Sequence, residues 1–146
     1  MIRNLVFIFL LFPIHLFAQP FSTAEVSRWK QQAKQVTIIR DNWGIAHVYG
    51  NTDADAVFGL MYAQCEDDFN RVELNYIEKL GRLSEIYGEE RIYEDLLNRL
   101  VLDSAAAVTD YNRSPPWLKK LLQAYADGIN FYLHKNASVK PQLLNR

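Results

Sequence analysis

A helical periodicity between residues 58 and 87 constrains this chain more than any other feature. Apolar residues recur there at steps of three or four positions. They are Phe58, Met61, Cys65, Phe69, Val72, Tyr76, Leu80, Leu83 and Tyr87. The average step of about 3.6 residues is the period of an α-helix, so the pattern predicts a long amphipathic helix with one buried face.

The ends and interruptions of this helix can also be predicted. Thr52, followed three positions later by Asp55, is typical of a capping box at the amino end. Gly59 and Gly81 lie inside the pattern, where each costs about 1 kcal/mol relative to alanine. We therefore expect close approach of another element at Gly59 and a kink near Gly81, with Gly88 as the carboxyl-terminal cap.

The only cysteine, Cys65, directly precedes three acids, Glu66, Asp67 and Asp68. This arrangement could be a metal site, an activated thiol or ordinary helix surface. Because Cys65 lies on the apolar stripe, we interpret it as a small buried hydrophobe without a neighbouring base. The acids lie off the stripe, and the four-residue spacings from Asp67 to Arg71 and from Glu78 to Arg82 favour surface ion pairs.

Residues 36–40 and 45–49 predict a β-hairpin closed by a four-residue loop. On the second strand, alternation places Ile45, His47 and Tyr49 on one face and Ala46 and Val48 on the other. A lone two-stranded hairpin is marginally stable, so we expect it to join a larger sheet.

Helical patterns occupy most of the remaining chain. Residues 21–34 predict a short helix before the hairpin, and another helix is predicted from about Arg91 to Tyr111. Ser114 is predicted to cap a last helix that begins at the following prolines. The predicted fold class is α+β, a β-hairpin followed by three or four mostly long helices.

The first eighteen residues are typical of a secretory signal peptide. Arg3 supplies a positive start, residues 5–12 form an apolar run, and Ala18 ends the segment. A membrane anchor would need about 20 apolar residues, and Pro13 and His15 interrupt the run too early. We predict a signal peptide at residues 1–18, a secreted or periplasmic location, and no membrane contact after its removal.

Charge and motif content exclude several function classes. Sixteen basic residues balance seventeen acidic ones, without a basic patch for nucleic acid or an anionic membrane. His47 and His134 lie in no metal-binding motif, and the chain contains no nucleophile elbow, P-loop or dinucleotide fingerprint. We predict no catalytic, cofactor-binding or metal-binding residue in this segment.

Four blocks of residues follow one another along the chain. They are Arg40-Asp41-x-x-Gly44-Ile45-x-His47-Val48-Tyr49, Phe58-Gly59-Leu60-x-Tyr62-Ala63-Gln64-x-x-Asp67, Gly81-Arg82-Leu83-Ser84-x-x-Tyr87-Gly88, and Leu121-Leu122-x-Ala124-Tyr125-Ala126-x-Gly128-Ile129-Asn130-x-Tyr132-Leu133. In this order they resemble the N-terminal part of the penicillin amidase family, which includes penicillin, aculeacin-type and acyl-homoserine-lactone acylases. Four ordered blocks are more specific than any single motif.

The resemblance implies a fragment of an αββα N-terminal-nucleophile hydrolase. Members are secreted precursors that cut themselves into a small α chain and a large β chain. The first serine of the β chain is the nucleophile, and its α-amino group, with an ordinary pKa of about 7.7–8.0, serves as base. Amide bonds of acylated amines, such as penicillins, lipopeptides or N-acyl-homoserine lactones, are the implied substrates.

Residues 19–146 then resemble part of an α chain, truncated at its C-terminal end. The serines of this region, which resemble no self-cleavage junction, are Ser22, Ser27, Ser84, Ser104, Ser114 and Ser138. The implied partners are the missing downstream β-chain-like half and a small acylated amine. Calcium, known in some members, would draw on residues beyond Arg146 or in the β chain.

Two hypotheses from different classes remain. The chain is either a piece of an acylase that wraps the catalytic half and shapes one wall of the acyl pocket, or a stand-alone secreted helical binding module. A reading frame that continues past Arg146 would favour the first.

The acid triplet is predicted to bind no metal ion tightly. Three consecutive helical residues spread over about 200° of the helix circumference, so Glu66, Asp67 and Asp68 cannot converge on one ion. Titration calorimetry with calcium is expected to show no binding to this segment, and stoichiometric micromolar binding there would contradict the prediction.

Overall fold

Helices dominate the fold, and a β-hairpin packs among them. The computed structural model describes residues 21–141, so the predicted signal peptide, residues 1–18, lies outside the described residues. The elements in chain order are α1 (Thr23–Ala33), β1 (Val36–Arg40), β2 (Ala46–Gly50), α2 (Asp53–Lys79), α3 (Ser84–Tyr87), a 3₁₀ turn (Glu89–Arg91), α4 (Ile92–Val101), α5 (Ser104–Arg113) and α6 (Pro116–Lys135). The predicted α+β class, with a short helix before the hairpin, is confirmed.

The helices after the hairpin are more numerous and shorter than predicted. Only α2 and α6, with 27 and 20 residues, are long among the described helices. The single helix predicted between Arg91 and Tyr111 is wrong, because the chain is extended at Leu102 (φ −102°, ψ 97°). Asp103 then accepts the N–H of Ala105 at 2.8 Å and begins a second helix, so a local cap interrupts the apolar periodicity.

Ser114 does not cap α6, and that prediction is also wrong. The residue ends α5 instead, and its Oγ donates to the carbonyl oxygen of Asp110 at 2.8 Å. The helix α6 begins at Pro116 after Pro115, without a side-chain cap. A proline in the first turn leaves no amide there to satisfy, which lessens the need for a capping side chain.

The hairpin has the predicted alternation and a loop one residue longer than predicted. Ala46 pairs with Arg40 and Gly50 with Val36, so β2 begins one residue later than the pattern suggested. Ala46 and Val48 are half-buried, whereas His47 and Tyr49 are exposed. The sheet described within residues 21–141 has two strands, and its inner face packs on α2. Extension into a larger sheet stays a prediction.

The amino end of α2 carries the predicted capping box. The hydroxyl oxygen of Thr52 accepts the N–H of Asp55 at 3.2 Å, and the Asp55 carboxylate accepts the N–H of Thr52 at 3.1 Å. The predicted interruption near Gly81 is confirmed, since α2 ends at Lys79 and Gly81 has φ +63°. Gly88 caps α3 by donating its N–H to the carbonyl oxygen of Ser84, also as predicted in role.

A second interruption, at Asp68, was not predicted. Its backbone is non-helical, with φ −158° and ψ 79°, in the middle of α2. The Asp68 carboxylate accepts the N–H of Arg71 at 3.1 Å, as an N-cap residue does at a helix start. The apolar stripe continues across this kink, so periodicity could not reveal it.

Two glycines allow α2 to lie between the hairpin and α6. A Cβ at Gly59 would overlap Val36 and come within 2.7 Å of Val48 Cγ1, which confirms the predicted close approach. A Cβ at Gly128 of α6 would overlap the carbonyl oxygen of Phe58 and lie 3.0 Å from the Met61 Cβ. A side chain at Gly59 would displace the two valine side chains, and one at Gly128 would force the α2 backbone away.

Two apolar clusters fill the space on the α6 side of α2. One comprises Met61, Cys65, Phe69, Val72, Ile129 and Leu133, and the other comprises Trp29, Phe58, Ala124 and Phe131. The predicted burial of Cys65 is confirmed, since its exposure is 0%. Burial also raises the pKa of the Cys65 thiol to about 12, so the thiol is protonated at neutral pH.

Cys65→Ala should lower the free energy of unfolding by about 1 kcal/mol or somewhat more, because it removes a small buried group. Denaturant unfolding measures this change. The native thiol should react with a thiol reagent far more slowly than the unfolded one. Rapid labelling of the native protein would show that Cys65 is accessible and contradict the prediction.

Candidate functional site

The block beginning Arg40-Asp41 forms a polar cluster where the hairpin loop meets the middle of α2. Arg40 reaches across to α2, where its two terminal nitrogens lie 3.2 Å from Glu66 Oε2 and 2.7 Å from Asp67 Oδ1. The same guanidinium donates to the carbonyl oxygen of Gly44 at 2.9 Å. Its hydrogen bond to Glu66 raises the Arg40 pKa, so Arg40 carries a fixed positive charge between loop and helix.

The Asp41 side chain holds the hairpin loop in place through hydrogen bonds to the loop backbone. Its Oδ1 accepts the backbone N–H groups of Trp43 and Ile45, both at 2.9 Å, and its Oδ2 lies 3.4 Å from His47 Nε2. Partial desolvation raises the Asp41 pKa, but the hydrogen bonds from Ile45, Trp43 and His47 outweigh it and lower the pKa below its usual value. The conformation of Gly44, with φ +81°, completes the turn.

The acid triplet after Cys65 divides between two arginines. Glu66 and Asp67 pair with Arg40, whereas Asp68 pairs with Arg71 at 3.2 Å. The predicted pair between Asp67 and Arg71 is therefore wrong, because the hairpin brings a closer cation to Asp67.

The second ion pair predicted on α2 is also wrong. Arg82 pairs with Glu85 at 2.7 Å, and Glu78 pairs with Lys79. The interruption at Gly81 separates Glu78 from Arg82, so the four-residue helical spacing between them no longer applies.

This cluster can hold the loop against α2, but it lacks the parts of a nucleophilic site. Within the described residues, the Asp41–His47 pair has no serine or cysteine among its hydrogen-bond partners. Cys65 is buried, and His134 lies elsewhere, with its ring centroid 6.4 Å from those of Phe21, Trp29 and Phe131. The structure does not bring the two histidines into one site.

Calcium does not fit this cluster either. The guanidinium of Arg40 already occupies the position between Glu66 and Asp67 that a cation would take. Residues 21–141 contain no group of three or more His, Cys, Asp or Glu side chains arranged to hold a metal ion.

Three buried carboxylates, those of Asp127, Asp95 and Glu73, were missed from the sequence. Asp127 on α6 is 2% exposed and accepts two hydrogen bonds from Arg28 of α1, at 2.7 and 3.2 Å, and one from Gln123 at 3.0 Å. Its spacing from Ala124 and Gly128 places it on the inward face, a signal that helical periodicity could have found. Asp95 gave no such signal, because Asn98 and Arg99, three and four positions further along α4, are polar.

An apolar cavity of about 200 Å³ opens between the hairpin, α2 and α6. It is lined by Ala33, Val36, Ile38, Phe58, Gly59, Tyr62 and Phe131. Small-molecule pockets usually measure about 300–1,000 Å³, so this one is sized for a side chain of a packed neighbour.

The sequence of this chain matches a known protein family. The penicillin amidase family model matches residues 35–145, which include the hairpin, the polar cluster and the α2–α6 packing. The chain belongs to the penicillin amidase family.

The chain is also similar in sequence to bacterial acylases. The chain is 31% identical over 119 residues to acyl-homoserine lactone acylase QuiP of Pseudomonas fluorescens, covering 82% of this chain and 15% of that protein. It is also 31% identical over 102 residues to penicillin acylase 2 proenzyme of Pseudomonas sp. strain SE83, covering 70% and 13% respectively. The chain thus spans only about a seventh of the length of these relatives.

The fold also matches a solved structure. A thermostable penicillin G acylase from Alcaligenes faecalis superposes with a TM-score of 0.64 at 22% identity, covering 76% of this chain and 58% of that chain. This likeness shows a shared fold.

None of the helices described in residues 21–141 has the length and apolar character required to cross a membrane.

Asp41→Ala should loosen the hairpin loop, because the Trp43 and Ile45 amides lose their acceptor, whereas Asp41→Asn keeps an acceptor oxygen. Amide hydrogen exchange of residues 41–49 should accelerate strongly in the alanine variant and less in the asparagine variant. Equal exchange in wild type and Asp41→Ala would contradict this role.

The same carboxylate predicts a pH dependence. Because its folded-state pKa is lowered, the stability it contributes is fully present above the ordinary aspartate pKa of 3.8 and is lost as pH falls through the lower folded-state pKa. The loop exchange rate of wild type should approach that of Asp41→Ala only in this acid range. Convergence at neutral pH would contradict the assignment.

Proposed function

We propose that this chain is the N-terminal, supporting part of a secreted acylase that hydrolyses the amide bond of an acylated amine. Family membership, together with a chain that spans only 13–15% of its acylase relatives, carries the proposal. The relatives' names point to acyl-homoserine lactones or penicillins as the substrate class. The predicted signal peptide supports export to the periplasm or beyond.

The catalytic serine of such an enzyme would lie in a downstream part of the precursor. A serine needs a base within hydrogen-bonding reach, and an N-terminal serine supplies its own α-amino group. Two serines of this chain are already engaged otherwise, since Ser22 caps α1 through Glu25 and Ser114 donates to Asp110. We assign this part the task of supporting the catalytic half and one wall of its acyl pocket.

The exposed surface disfavours the alternative of a stand-alone binding module. Trp43 at the hairpin loop is 88% exposed, Leu100 on α4 is 82% exposed, and Trp117 on α6 is 63% exposed. Leu100 belongs to a run of exposed apolar residues on α4, and soluble monomers rarely expose contiguous apolar surface of this kind. A partner that covers these elements is consistent with a larger precursor.

Residues 19–146 expressed alone should show no amide hydrolysis above the buffer rate and should be poorly soluble, because the nucleophile is missing and apolar surface is uncovered. Co-expression with the downstream part should give a soluble complex that hydrolyses a chromogenic acylated amine. Ser84→Ala and Ser114→Ala in that complex are matched controls that should retain activity. Turnover by the isolated segment, abolished by replacing one of its own serines, would overturn the proposal.

A further inference from the structure

The apolar side of helix α4 faces solvent. Each of its six apolar residues is exposed, by 44% to 82%. They are Ile92, Tyr93, Leu96, Leu97, Leu100 and Val101, called here the α4 stripe. They follow one another at four-residue intervals in two adjacent rows, so they form one continuous strip over three turns. A surface helix normally buries such a strip.

The polar side of α4 is the side attached to the rest of the protein. Asp95 is 5% exposed, and its carboxylate accepts the backbone N–H groups of Leu83 at 2.7 Å and Ser84 at 2.8 Å. Arg99 Nε donates to the carbonyl oxygen of Gly81 at 3.0 Å. These bonds fix the rotation of α4 about its axis, so turning the stripe inward would leave the Asp95 carboxylate and two backbone amides without their partners.

We propose that the α4 stripe docks in an apolar groove of the downstream part of the same polypeptide. This inference rests on the proposed function, under which a larger downstream part exists. An amphipathic helix that presents anchors at four-residue steps is a common ligand of an apolar groove. The stripe itself contains no charged side chain to oppose burial.

The tethered downstream part is favoured over a second copy of the chain as the occupant. This chain covers 13–15% of its acylase relatives, so the downstream part would be several times larger than the described residues. Because both would belong to one precursor, docking is intramolecular, with an effective concentration on the order of millimolar for a short flexible tether. A second copy must associate from dilute solution.

Thiol accessibility in the full-length precursor tests the docking. Leu100→Cys places a thiol on the stripe, and Leu96→Cys is a second variant if the first does not fold. Glu90→Cys, at an exposed position just before α4, is the matched control. The natural Cys65 is buried in the native protein but becomes reactive on unfolding, so every variant also carries Cys65→Ala. Stripe thiols should react at least tenfold more slowly in the native than in the denatured protein, whereas the control should react at nearly the same rate in both states.

The identity of the occupant is tested by dilution and cross-linking. Protection should persist over a hundredfold dilution, and a photoreactive amino acid at Tyr93 should cross-link to a downstream peptide of the same molecule. Less than tenfold protection, equal protection of the control, loss of protection on dilution, or cross-links to a second copy would overturn the docking. An active amide hydrolase with an unprotected stripe overturns this inference alone, and a protected stripe in a protein without amide hydrolysis overturns the proposed function alone.

Discussion

Close packing at two glycines, one on each side of α2, is the constraint on which the structure depends. At Gly59 the helix lies against Val36 and Val48 of the hairpin, and at Gly128 it receives α6 at the level of Phe58. Dispersion and burial grow as packed surfaces approach, so a missing side chain at each crossing allows the largest apolar residues to meet around it. The two apolar clusters form around these close contacts. Packing against α2 also stabilises the two-stranded hairpin, which would be only marginally stable in isolation.

Polar contacts then fix elements that apolar packing leaves free to slide. Arg40 joins the hairpin loop to Glu66 and Asp67 of α2, and Arg28 joins α1 to the buried Asp127 of α6. Exposed ion pairs contribute little stability, so the contacts at Arg40 act mainly through geometry. The residues that carry the family resemblance in the hairpin therefore have structural tasks here, which is consistent with a chain that supports catalysis carried out elsewhere.

The helices after Gly81 follow a different rule from the α2–α6 core. Asp95 and Arg99 attach α4 through its polar side, and α5 buries none of its residues. An apolar strip held outward by hydrogen bonds costs free energy in water unless a partner covers it. This organisation is consistent with a family whose members named here are covered to only 13–15% by this chain, and with the proposed docking of α4.

Patterns within single elements were sufficient for much of the fold. The α2 periodicity as far as Tyr76, the Thr52–Asp55 capping box, the hairpin faces and the burial of Cys65 all depend on neighbours a few positions apart, and all were predicted correctly. Leu80 and Tyr87, placed on the same buried stripe, are exposed, since α2 ends at Lys79. The kink at Asp68 escaped because the apolar stripe runs through it, and the partners of Asp67 and Asp127 escaped because Arg40 and Arg28 come from distant segments. The outward face of α4 could not be predicted either. Periodicity tells which residues share a face, whereas which face is buried depends on the hydrogen bonds that the rest of the molecule offers.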